Sequence, residues 1–306
     1  MANLIGILQS DFFIWGVVLG VAAGLMVAVF ARRSGDAAPL PIGGVLITIT
    51  TLIAVTLADE ALPRSAVVGL ALIAALTAAA GRLGNVWVMA LASVPGAVVL
   101  GLAARSESGW VMAVTVLVIP LAGALVADFD TRYGHLGLGM IFYGLAATGT
   151  FLAVPDTELV RTLFAVCLPL SFLAWPRVLV SLGRTGSFLA IGVFAYFTAL
   201  GGIDRPASVI GAIACLGFLV LEPAVALLRP RLERLVDLIN PTAEAAIWAS
   251  IPQLIVVYLT SRVAAHFTSL ANAILVAGVA LAAATLLLIW LDVTRVARSL
   301  PGPHDV

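Results

Sequence analysis

The sequence predicts an all-α, polytopic membrane domain of about eleven transmembrane helices, with its N-terminus outside and its C-terminus in the cytoplasm. Three observations predict it. The 306 residues are 62% hydrophobic and only 10% charged, with a mean hydropathy of +1.16, which leaves too little polar surface to form a water-facing shell. Apolar runs of bilayer length alternate with short polar breaks along the whole chain. Arginines fall unevenly on alternate breaks, as they do where basic residues are retained on the cytoplasmic face.

Because a helix rises about 1.5 Å per residue and the hydrocarbon layer is about 30 Å thick, a span needs roughly 17 to 25 residues. Eleven segments satisfy this approximately: 11–31, 42–58, 65–80, 86–104, 110–127, 136–154, 162–180, 187–203, 207–228, 245–260 and 270–291. The first has no basic flank before it and no small-residue cleavage pattern, so it reads as a retained span and not a signal peptide. It carries Gly16, Gly20 and Gly24, a small residue at every fourth position, which lets a second helix approach that face. The breaks carry the polar residues of a membrane surface, among them Arg32-Arg33-Ser34-Gly35-Asp36, Asp59-Glu60, Gly81-Arg82-Leu83-Gly84-Asn85 and Arg105-Ser106-Glu107. The longest, Arg229 to Glu244, spaces Arg229, Arg231, Glu233, Arg234 and Asp237 around Leu232, Leu235, Val236 and Leu238, as an amphipathic segment on the membrane face would. All connections are short, so residues 1–306 form a single integral membrane domain, and no internal repeat is evident.

Orientation follows from the arginines. With the N-terminus outside, the inner connections carry 11 of them (Arg32, Arg33, Arg82, Arg132, Arg177, Arg184, Arg229, Arg231, Arg234, Arg295 and Arg298) and the outer ones 5 (Arg64, Arg105, Arg161, Arg205 and Arg262). The expected location is the cytoplasmic (inner) membrane, as a multi-pass protein whose arginine-rich connections face the cytoplasm.

The same composition excludes several functions. Sixteen acids balance sixteen bases, so there is no basic field for nucleic acid. Every base is arginine and none is lysine, which removes Schiff-base and P-loop chemistry. The two cysteines, Cys167 and Cys215, sit in apolar runs and read as packing residues. No Ser-His-Asp set or zinc-ligand spacing is present.

The inner connections also carry a series of glycine-rich motifs. Gly183-Arg184-Thr185-Gly186-Ser187 follows Trp175-Pro176-Arg177-Val178 and leads into an apolar span containing Gly192. Upstream lies Asp130-Thr131-Arg132-Tyr133-Gly134-His135-Leu136-Gly137-Leu138. Pro41-Ile42-Gly43-Gly44 opens the second span, and Pro223 precedes an apolar run into Arg229. Together, over roughly residues 30–265, these resemble the polyprenyl-phosphate N-acetylhexosamine-1-phosphate transferases of glycosyltransferase family 4 type. That family includes phospho-N-acetylmuramoyl-pentapeptide transferase and the enzymes that initiate O-antigen and teichoic-acid linkage units. The corresponding family motifs read N-x-P-x-x-x-F-x-G-D-T-G-S, N-x-x-D-G-x-D-G-L, P-x-x-G-G and P-L-x-D-T. The resemblance implies a transferase-like fold and a frame built from Pro41, Gly43, Gly44, Gly134, Gly137 and Gly183. Its members use magnesium and cytoplasmic aspartates to move a sugar-1-phosphate from a UDP-sugar to a lipid phosphate.

Carried over position by position, the acidic chemistry is missing. Arg184 stands at the aspartate of G-D-T-G-S, reversing the charge. Asp130 stands at the asparagine of the upstream motif, and Tyr133 and Leu136 at its two aspartates. The break 81–85, where paired aspartates are expected, has no acid, and the loop 229–244 has no histidine. Magnesium needs oxygen ligands, usually carboxylates with substrate phosphates. Glycines kept while carboxylates go is the pattern of a scaffold that has lost its catalysis.

The remaining candidates each carry two readings. Asp128 and Asp130, one residue apart, would share a cation in an extended loop, or are solvated acids beside Arg132. Glu222 is a functional acid at depth, or is paired near the headgroups. His135 is a ligand or a plain loop residue, and His266 and His304 say less. Arg177 and Arg184 either clasp a lipid phosphate with two guanidinium forks, with Thr185, Gly186 and Ser187 beside them, or serve positive-inside anchoring.

The expected function is that of a diverged, non-catalytic homologue of these transferases. It binds a membrane lipid such as polyprenyl phosphate, or a membrane partner protein, in cell-envelope glycan assembly, without metal or cofactor. Homodimerisation and a separate partner both stay open, and nucleic acid is excluded. The alternative is an active phosphoglycosyl transferase, using Mg2+ and a rearranged site on Asp128 and Asp130 with Arg184 to load undecaprenyl phosphate. A small transporter is disfavoured, because its helices would need more buried ionisable groups.

Overall fold

A computed structural model describes residues 10–34, 40–58, 62–104, 109–133, 157–171 and 180–202, with a few positions between 271 and 282. Seven helices make up these stretches: α1 (Asp11–Ser34), α2 (Gly43–Leu57), α3 (Arg64–Gly81), α4 (Val86–Ala103), α5 (Gly109–Tyr133), α6 (Thr157–Ser171) and α7 (Arg184–Gly202). Among the described residues there is no strand, only an isolated parallel bridge between Leu40 and Val180. The segments at 136–154, 207–228, 245–260 and 270–291 lie outside the continuously described residues, as do Cys215, Glu222, the three histidines and the 229–244 loop.

Three helical stretches are long and apolar enough to cross a membrane: Asp11–Phe30, Arg64–Gly81 and Val86–Ala103. Their surface is that of a protein solvated by lipid. In α1 the residues turned inward include Gly16, Gly20, Ala23 and Gly24, while Leu25, Met26 and Phe30 are each more than 60% exposed. Small residues inside and large apolar ones outside reverse the soluble pattern, and suit helices held by close backbone packing in hydrocarbon. Gly16 lies against Ala165 and Gly20 against Val166 and Pro169, so the small-residue face of α1 receives α6, running parallel.

Three buried hydroxyls are satisfied within their own helices, which suits a dry interior, whereas Thr51 Oγ1 is buried without a partner among the described residues. Thr48 Oγ1 donates to the Gly44 carbonyl at 2.8 Å, Thr77 Oγ1 to that of Ile73 at 2.6 Å and Ser93 Oγ to that of Ala90 at 2.7 Å.

Helix α7 is the axis of the bundle. It is apolar nearly all round, as helices of a protein interior or a membrane span are. Every residue from Gly186 to Phe197 is buried, including Phe188, Phe194, Tyr196 and Phe197. Around it pack α2, α3, α4, α5 and α6, while α1 packs on α2 and α6.

The glycine contacts fix the directions. Gly192 of α7 meets Leu70 and Ile73 of α3, Gly96 of α4 meets Ile73, Gly101 of α4 meets Met112 of α5, and Gly123 of α5 lies against the Phe188 ring. Hence α4 and α7 begin at one end of the bundle, where α3 and α5 finish; α2 begins there as well, since Gly44 meets Gly186 at the start of α7, and α1, separated from α2 by only eight residues, finishes there. Arg32, Arg33, Arg82, Arg132 and Arg184 all stand at that end, and Arg64 and Arg161 at the other.

Two predicted spans are corrected. The seventh, expected at 162–180, is helical from Thr157 to Ser171, and Val180 lies in the bridge to Leu40. Glu158 and Arg161 therefore belong to the helix and not to a loop; an acid in a first turn complements the positive end of the helix dipole. The eighth, expected from Ser187, begins at Arg184, immediately after Gly183 at φ +75°.

Candidate functional site

The segments Pro41–Gly44 and Gly183–Ser187 lie side by side. The Leu40–Val180 bridge is extended by Ser181 N–H donating to the Leu40 carbonyl at 3.0 Å. Gly43 N–H then donates to the Ser181 carbonyl at 2.8 Å, and Gly44 N–H to that of Leu182 at 3.0 Å. These bonds occupy two amides that the start of α2 would otherwise leave without an acceptor.

The glycines are there because the backbones touch. A Cβ on Gly44 would strike the Gly186 backbone, a Cβ on Gly186 would come within 2.9 Å of Gly44 Cα, and a Cβ on Gly183 would strike the Pro41 carbonyl. Thus Pro41, Gly43, Gly44 and Gly183, four of the six frame residues, form one interlocked joint. Gly134 and Gly137 lie outside the described residues.

The turn between α3 and α4 reaches the same place. Arg184 is exposed, and its Nη1 donates to the Gly84 carbonyl at 3.3 Å. Gly84, at φ +73°, is the hinge of the turn between α3 and α4, and Asn85 next to it caps α4, its Oδ1 accepting from Trp87 N–H at 2.9 Å. A backbone carbonyl carries no mark in the sequence, so Gly84 was not readable as a partner of Arg184. Its neighbours Gly81 and Asn85, as turn and cap signals, were the nearest hints.

The starting turn of α7 differs in detail from expectation. Ser187 is buried, its N–H and its Oγ both directed to the Gly183 carbonyl, at 2.8 and 3.0 Å. The amides left without an intrahelical acceptor are those of Arg184, Thr185 and Gly186, with Arg184 exposed, Thr185 half-buried and Gly186 buried on Gly44. Arg177 lies outside the described residues.

Asp128 is half-buried near the end of α5, beyond the Gly123 contact with Phe188, and so belongs to the same end of the bundle. It and Asp130 sit in a helix, not in the extended loop expected, and helical positions two apart do not share a face. Among the described residues no group of three or more His, Cys, Asp or Glu side chains gathers around a common point. Cys167 is buried in α6, packed in the core. No protein-family model and no curated protein matches the chain.

Proposed function

We propose that this protein is a diverged, non-catalytic member of the polyprenyl-phosphate sugar-1-phosphate transferases, which binds lipid phosphate at the cytoplasmic end of the bundle. The observation that carries the reading is the joint itself. Pro41–Gly44 and Gly183–Ser187, distant in sequence and each resembling a different family motif, share backbone hydrogen bonds, and Arg184 joins them to the α3–α4 turn. At that joint lie the first-turn amides of α7, which have no acceptor within the helix, and the positive end of its dipole, which favour an anion. Arg184 brings a cation to it where the family has a carboxylate.

In this proposal the chain is a multi-pass inner-membrane protein of about eleven spans, N-out and C-in. The gathering of Arg32, Arg33, Arg82, Arg132 and Arg184 at one end supports that orientation. A phosphatase fused after Val306 should be inactive, and a cytoplasmic reporter there active; the reverse pattern would place the joint on the outer face and end the proposal.

The chemical test uses purified protein, undecaprenyl phosphate, UDP-N-acetylhexosamines and magnesium. No UMP release is expected. Polyprenyl phosphate should be retained over neutral lipid in native mass spectrometry, and Arg184→Asp should weaken that retention about tenfold, the worth of one charge-assisted hydrogen bond, without creating turnover. Equal retention by both proteins would reduce Arg184 to an orientation signal. The position of Asp128 at the joint end favours a second reading, the active transferase with a rearranged site. Turnover abolished by Asp128→Asn or Asp130→Asn would establish that one instead.

A further inference from the structure

The lipid-phosphate reading leaves unassigned which part of the protein meets the apolar chain next to the phosphate. We infer that the α3–α4 turn does so, with Leu83 and Trp87 receiving the first apolar units of a lipid whose phosphate rests on Arg184; this rests on the proposed function above. The turn is short and exposes two large apolar side chains beside cations. Leu83 is 72% exposed and Trp87 44% exposed, on either side of the Gly84 carbonyl that accepts from Arg184.

Arg82, also exposed, adds a second cation in the same turn. Two exposed apolar side chains in the turn that carries Arg82 and that Arg184 reaches through the Gly84 carbonyl, at the end of membrane-length helices, match an amphiphilic anion. A free phosphate would use the arginines and leave Leu83 and Trp87 idle, while a neutral lipid would do the opposite. Indole at the headgroup level also suits the boundary between phosphate and hydrocarbon. The hydrogen bond from Arg184 ties this turn to the start of α7 and so holds the apolar and anionic halves at one distance.

The test compares wild type with Leu83→Ala/Trp87→Ala in detergent, both side chains being exposed and the fold checked by thermal unfolding. Native mass spectrometry is run with undecaprenyl phosphate, with isopentenyl phosphate and with phosphatidylglycerol. The expected result is about a tenfold loss for undecaprenyl phosphate in the double variant, from the apolar area removed, with the short-chain phosphate unchanged and phosphatidylglycerol bound weakly by both. If wild type retains undecaprenyl phosphate and the variant retains it equally, the turn is not the apolar wall, while the proposed function stands. Parallel losses of phosphatidylglycerol and undecaprenyl phosphate would show a general headgroup contact and overturn the inference. If wild type does not prefer undecaprenyl phosphate at all, the proposed function fails first and this inference with it.

Discussion

Gly44→Ala is expected to destabilise the protein by about 2–4 kcal/mol, the range of severe overpacking in a tight interior, and to abolish retention of polyprenyl phosphate. The added methyl would meet backbone and not the movable end of a side chain, since its nearest neighbours are the Gly186 carbonyl and Cα. Relief therefore requires α2 and α7 to part at their first turns, and that separation breaks the bonds from Gly43 and Gly44 to Ser181 and Leu182. Because α7 is the buried axis, its displacement is felt by α3, α4 and α5 as well. Gly81→Ala is the control: its Cβ would find only Met89 Cε and Sδ at 3.6 and 3.7 Å, ordinary contact, and alanine is the better helix former by up to about 1 kcal/mol. Thermal unfolding in detergent separates the two. A Gly44 variant as stable as the Gly81 variant would mean that the α2–α7 contact does not hold the bundle together.

The helices were legible where polar breaks are sharp. The fourth span, expected at 86–104, is Val86–Ala103, because Asn85 is both a break residue and the actual cap of α4. The seventh begins earlier than expected because Arg161 reads as a connection residue, whereas charges in the first turns of a helix are compatible with its continuation toward the interface. Its far end differs for another reason: Val180 is apolar, yet it pairs with Leu40, and a partner so distant in sequence leaves no periodic trace. The site divides in the same way. Pro41, Gly43, Gly44 and Gly183 could be picked out as residues, but the meeting of Gly44 with Gly186 is a property of two chain segments at once. The tie from Arg184 to Gly84 uses a carbonyl that every residue possesses.

The second large effect isolates that joint from backbone strain. Gly183 and Gly84 hold nearly the same left-handed conformation, φ +75° and +73°, so alanine at either position incurs about 1–2 kcal/mol of strain. Their surroundings differ. Around Gly84 an added Cβ meets nothing within 4 Å, while at Gly183 it strikes the Pro41 carbonyl and lies 3.1 Å from Pro41 Cβ. Gly84→Ala should therefore lose only the strain, whereas Gly183→Ala should lose about 3 kcal/mol or more, the excess being the collision. The functional readout should split as well. Gly183→Ala pushes the start of α7 away from Pro41–Gly44 and should eliminate lipid-phosphate retention even in the fraction that stays folded. Gly84→Ala keeps the joint but shifts the carbonyl that holds Arg184, so retention should fall several-fold without vanishing. Equal losses of stability in the two variants would show that the α7 start is not braced by Pro41, and would detach the anion site from the interlocked motifs.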